Sequence, residues 1–191
     1  GYSSAFPDFA TNGILVNGAS DALITNNSVE YVNDGVGNNY NGISVGSAFR
    51  ASFSSLPIAQ DIEIRDNVVT GVDDGITVTG AASNTSITNN TLDVDEVGIR
   101  STSFEFASEP NDVPSGTQID DNDVTLGERS VGIETSADAE APENLDLNDI
   151  LQKNTFNPIG EVIGDQIRAE SSTPANTVVN LDTGAEFDSI Q

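Results

Sequence analysis

The sequence predicts an all-β solenoid of about six coils, each built from short strands that stack on their equivalents in the next coil. Three observations predict it. An Ile-x-x-Asn-x-Val pattern recurs along the chain, a Gly-Ile-x-Val pattern alternates with it, and small or polar residues separate the two. Short period-2 runs joined by such turns are strands, not helices.

The first pattern supplies one strand and its corner. Its asparagines are Asn27, Asn67, Asn90, Asn122 and Asn154, which form an expected structural ladder. Three residues before them stand Ile24, Ile64, Ile87, Ile119 and Leu151; two residues after stand Val29, Val69, Leu92, Val124 and Phe156. All three columns hold in five copies of a sequence that is 36% hydrophobic. An Asn at a corner can adopt the left-handed conformation and bond the corner backbone or the Asn above and below.

The second pattern supplies another strand. It reads NGILV, NGISV and DGITV from Asn12, Asn41 and Asp74, then decays to VGIRS, VGIET and DQIRA. Its inward column is Ile14, Ile43, Ile76, Ile99, Ile133 and Ile167. The shortest repeat, from Asn67 to Asn90, spans 23 residues, enough for two or three short strands and tight corners. Stacked, such coils place equivalent strands in a parallel ladder at roughly 4.8 Å. Residues 1–11 read as an N-terminal loop or edge, 12–160 as clear repeats and 161–191 as a weaker last coil, all within one domain. A start at Gly1 with no visible signal peptide reads as a mature form or a segment of something longer.

Insertions fall at one corner, between the Gly-Ile-x-Val strand and the strand that leads to the Asn. The long ones are SAFRASFSSLPIAQ (Ser47–Gln60) and TSFEFASEPNDVPS (Thr102–Ser115); SADAEAPEN (Ser136–Asn144) is shorter. The long pair carries Phe49, Phe53, Phe104 and Phe106, and the N-terminal SAFPDF carries Phe6 and Phe9. Either these rings fold back over a flank of the solenoid, or they form an apolar patch for a partner or a second copy.

On these repeats the chain resembles the right-handed parallel β-helix proteins, the pectate-lyase-like superfamily. The resemblance covers residues 12–160 and, more weakly, runs to 183. It implies the fold and leaves the activity open, because related coils occur in polysaccharide lyases, polygalacturonases, epimerases, tailspikes and adhesins.

Composition removes several chemistries. With no cysteine there are no disulfides, thiolate nucleophiles or Cys metal sites; with no histidine there is no Ser-His-Asp triad or His-bound zinc. The 31 acidic residues against 6 basic ones give a net charge of −25, which repels nucleic acid and anionic membranes. No apolar run is long enough to span a membrane. Such a surface suits high salt, where screening relieves self-repulsion, and carboxylate clusters could also bind calcium.

The candidate catalytic and metal-binding residues lie at an acidic corner. Counting seven from the ladder asparagines brings Asp34 and Asp74 together, with Asp73, Asp95 and Glu96 beside them. Stacked carboxylates can share a proton, hold calcium or act as an acid/base pair, whereas Asp-Gly is also an ordinary turn former. The VDDG run at Val72–Gly75 resembles an aspartate motif of polygalacturonases, but the His-, Arg- and Lys-bearing partner motifs are missing. Arg100, Glu134 and Arg168 fall in one outward column as a cross-strand charge ladder. Asn26, Asn84 and Asn89 head Asn-x-Ser/Thr sequons.

The expectation is an extracellular or cell-surface structural or adhesive module without enzymatic activity. It would self-assemble as a homo-oligomer or filament, or bind a surface glycan, with the phenylalanine loops as contacts. The alternatives are a carbohydrate-active domain with its site at the acidic corner and a trimeric tailspike-like receptor-binding segment.

Overall fold

Three sheets carry the chain around a common core, and each of the first four coils contributes one strand to each sheet. The computed structural model describes residues 11–31, 40–46, 58–102, 114–126, 130–136, 147–158, 165–170, 177–180 and 185–188. The first coil holds β1 (Thr11–Val16), β2 (Leu23–Thr25) and β3 (Ser28–Glu30). The second holds β4 (Tyr40–Gly46), β5 (Gln60–Arg65) and β6 (Val68–Thr70), and the third β7 (Asp74–Thr79), β8 (Ser83–Thr88) and β9 (Thr91–Asp93). The fourth holds β10 (Val97–Thr102), β11 (Gln118–Asp120) and β12 (Asp123–Leu126). The fifth runs β13 (Val131–Ser136), α1 (Leu147–Lys153) and β14 (Thr155–Pro158), followed by β15 (Asp165–Glu170), β16 (Thr177–Asn180) and β17 (Ala185–Asp188).

Strand order is β1-β4-β7-β10-β13-β15-β16-β17 in the first sheet, β2-β5-β8-β11 in the second and β3-β6-β9-β12-β14 in the third. All pairings are parallel as far as β15. The fold is a parallel β-helix. The expected columns are its registers: Ile14, Ile43, Ile76, Ile99, Ile133 and Ile167 pair in sequence, as do Ile24, Ile64, Ile87 and Ile119. The core is these stacked aliphatics; Ile43, Ile64, Ile76, Ile87, Ile99 and Ile133 are completely buried. Stacking like on like puts each side chain in van der Waals contact with its copies above and below, so one residue type serves a whole column.

The Gly before each Ile has a steric reason. A Cβ on Gly42 would meet the Gly75 carbonyl oxygen at 2.6 Å and the Val69 side chain. Gly75 and Gly98 face the same clash with the carbonyl of the next coil, at 2.5 Å each. Here the first sheet comes too close to the third for any side chain.

The Asn ladder forms, with one correction. Asn67 donates through both its backbone N and its Nδ2 to Asn90 Oδ1, each at 3.0 Å. Asn27 does the same to Asn67, Asn90 to Asn122, and Asn122 to Asn154. Each interior Nδ2 also reaches two corner carbonyls, such as Ile64 and Thr88 for Asn90. The left-handed residue is not the ladder Asn but the one before it: Asn26, Asp66, Asn89 and Asp121 have φ of 57°, 57°, 54° and 56°. Asn and Asp tolerate this region because their short polar side chains bond locally.

One further expectation is corrected towards the C-terminus. Leu151, placed in a strand column, lies in α1, which takes the position of a second-sheet strand in the fifth coil. Lys153 explains the switch: it stands where other coils have Asn or Asp, and a Lys has no side chain to support the left-handed corner. The helix delivers Asn154 to the ladder by another route, with Ile150 buried beneath it. Of residues 161–191, expected as a weaker last coil, the described part is three strands. β15 takes the sixth place in the first sheet, and β16 and β17 then pair antiparallel.

Candidate functional site

The acidic corner separates into two structural roles. The register pairs Asp74 with Asn41 in the coil before and Val97 in the coil after. Asp34, expected beside Asp74, lies outside the described residues; 9 residues separate β3 from β4, whereas 3 separate β6 from β7.

Asp73 closes the corner. Its Oδ2 accepts the Tyr40 backbone N–H at 2.8 Å, its own N–H donates to the Tyr40 carbonyl, and its carbonyl accepts from Glu96 at 2.8 Å. Tyr40 also stacks on Tyr31 with ring centroids 3.7 Å apart. Asp95 and Glu96 are exposed. Among the described residues, no three acidic side chains are grouped to hold a metal ion.

Asp74 turns to the outer face of the first sheet. Its Oδ2 accepts from Arg100 Nη1 at 2.7 Å, and Arg100 Nε donates to Glu134 Oε2 at 3.2 Å. Both carboxylates are buried although they face outward, at 6% exposure each. Asp74 Oδ1 has no hydrogen-bond partner. Burial pushes the Asp74 carboxyl up to about 6; Arg100 pulls it down, while Glu96, Glu134 and Asp73 add to the rise.

The polar stripe continues towards the first coil. Ser44 Oγ lies 2.7 Å from Thr77 Oγ1 and donates to Asn12 Oδ1 at 2.5 Å, and Asn41 Nδ2 donates to both Asn12 Oδ1 and Ser44 Oγ. Sequence reasoning found the Arg100–Glu134 pair but missed Asp74 on the other side of Arg100. Arg100 is opposite Thr77, so it meets Asp74 diagonally, three residues back on the neighbouring strand. Arg168 follows Glu134 in register, as expected.

Among the described residues, Arg65 and Lys153 have local partners. Arg65 bonds Glu63 at 2.6 Å and Asp66 at 2.5 Å. Lys153 is on α1 and pairs with Asp149 at 2.7 Å and Asp120 at 3.4 Å. Its hydrogen bond to Asp149, foremost, raises its pKa. Phe49, Phe53, Phe104 and Phe106 lie outside the described residues. No helix among the described residues is long and apolar enough to cross a membrane. Compared with protein-family models, with curated proteins and with solved structures, the chain matches none.

Proposed function

We propose that this chain is a non-enzymatic structural or adhesive module of the cell exterior, one that associates through the end of its solenoid formed by the first coil. The observation that carries this reading is the contrast in how that coil is covered. Ile14, Val16 and Val29 are only partly buried, whereas their register partners Ile43, Val45 and Val69 are at most 1% exposed. Among the described residues, β1, β2 and β3 stand last in their sheets, each with a neighbouring strand on one side. Open strand edges beside half-covered aliphatics favour the addition of further strands. A surface of net charge −25 keeps such a module from associating elsewhere. The proposed occupant is a second copy, and the phenylalanine-bearing insertions remain proposed lateral contacts.

Sedimentation and electron microscopy of the full chain test the reading. Concentration-dependent oligomers or filaments are expected, and Val16→Asp weakens them. A particle that stays monomeric at every concentration overturns it.

A second reading is favoured by one observation, the buried Asp74 with its unpartnered oxygen beside Arg100 and Glu134. In it the outer face of the first sheet binds or cleaves an acidic polysaccharide, with Asp74 as proton donor. A monomer that shortens uronate polymers, and loses that activity in Asp74→Asn, would establish this reading instead.

A further inference from the structure

Two columns of left-handed residues flank the second sheet. Asp21, Asp61, Asn84 and Gly116 stand at or just before the start of its strands, with φ of 55°, 53°, 52° and 65°. Asn26, Asp66, Asn89 and Asp121 follow them. The backbone demand is the same at all eight corners, and Asn and Asp both meet it. Yet the choice between them is not random. The residue two positions on is Ser28, Ser86 or Thr91 wherever the corner residue is Asn. Where it is Asp or Gly, that residue is Leu23, Glu63, Val68, Gln118 or Asp123.

No corner hydrogen bond accounts for the coupling. Asn26 Nδ2 donates to Thr25 Oγ1 at 2.8 Å, Asn84 Nδ2 to Asp61 Oδ1 at 3.0 Å, and Asn89 Nδ2 to Asp66 Oδ1. In each case the acceptor belongs to a residue other than the following Ser or Thr. An Asn-x-Ser/Thr triplet occurs nowhere else in the sequence. All three asparagines are exposed, as are Ser28 and Thr91.

We propose that Asn26, Asn84 and Asn89 are acceptors of N-linked glycans. A transferase that reads the hydroxyl two residues on supplies the coupling that the fold does not. The donor is an oligosaccharide linked to a lipid pyrophosphate. The amide Nδ2 bonds to the anomeric carbon of the glycan, the bond from that carbon to the pyrophosphate oxygen breaks, and the nitrogen gives up one proton. The lipid pyrophosphate leaves. Each corner bond uses one of the two amide hydrogens, so the bonds from Asn84 to Asp61 and from Asn89 to Asp66 survive attachment through the other. Asn26 and Asn89 lie two coils apart in one column, about 10 Å along the axis, and Asn84 stands at the opposite end of the same sheet. The glycans therefore border the outer face of the second sheet and leave the polar stripe on the first sheet clear.

The inference rests on the exported location in the reading above, and the test separates the two. The full chain is recovered from its own cells and medium, cut with a protease specific for acidic residues, and its peptides are weighed. Glycan masses are expected on the peptides holding Asn26, Asn84 and Asn89. Ser28→Ala, Ser86→Ala and Thr91→Ala each remove the glycan two residues upstream while leaving the corner Asn in place. Exported chain with all three peptides at bare polypeptide mass overturns the inference alone. Unmodified chain confined to the cell interior overturns both. Glycans that persist in the alanine variants overturn the sequon dependence.

Discussion

At Asp74, burial and ion pairing oppose each other, and burial wins. The folded-state pKa of about 6 lies above the ordinary carboxyl value of 3.8. Between these values the unfolded chain ionises while the folded one keeps its proton, so stability falls as pH rises from about 4 to about 6. The loss is at most about 3 kcal/mol, from a shift of roughly two units at 1.36 kcal/mol each. Asp61 and Asp66 act in the opposite sense. Asp61 is lowered by hydrogen bonds from Gln60 and then Asn84, Asp66 by those from Asn89 and then Arg65, so the total profile mixes signs. Denaturant titrations of wild type and Asp74→Asn across this range isolate the effect. The wild type should lose stability relative to the variant as pH rises, and a flat difference would remove Asp74 as the cause. This residue was only half legible in the sequence. Its place at a corner could be read from DGITV, but the diagonal reach of Arg100 depends on a register that no single repeat displays.

Among the elements, the ladder was the most legible because five copies of one spacing leave little choice of period. Its mechanism was less so, since the sequence does not say which of two adjacent Asx residues bends the backbone and which bonds. The division explains why the pairs read Asn-Asn or Asp-Asn: the first residue needs only a short polar side chain, while the second needs both an acceptor and a donor. Replacing Asn90 by Ala leaves the buried Asn67 N–H without its Asn90 acceptor and removes the Nδ2 bonds to the Ile64 and Thr88 carbonyls. This costs about 3 kcal/mol, at 1–3 kcal/mol for each orphaned group. Asn27→Ala, at the partly exposed end, costs about 1 kcal/mol. Urea unfolding measures both, and equal losses would mean that the ladder is not what stabilises the corner. The helix α1 was hidden because Leu151 and Phe156 keep the apolar spacing that strands use. The signal was Lys153, the one corner without Asx before its ladder Asn.

For the whole molecule, a charge of −25 on a stack of short coils makes self-repulsion a long-range term. Raising NaCl from about 0.1 M to about 1 M shortens the screening length from ~10 to ~3 Å. The melting temperature should rise by at least about 5 °C, more than 1 kcal/mol for a chain of this size. A temperature that stays constant or falls would show that local ion pairs such as Arg100–Glu134 outweigh the repulsion. The solenoid itself could be read from the sequence because its coils repeat; the insertions could not, because each occurs once and follows no column. The ladder has one more property at this scale. Every rung donates in the same direction, from Asn27 towards Asn154, whose Nδ2 bonds the Ile119 and Ile150 carbonyls. The column of amides is therefore a one-way street. Its first-coil end offers an oxygen and asks for a donor, so two copies meeting there face to face would set acceptor against acceptor. If copies add at that end as proposed, growth there is vectorial, with each newcomer presenting a different surface from the one it meets.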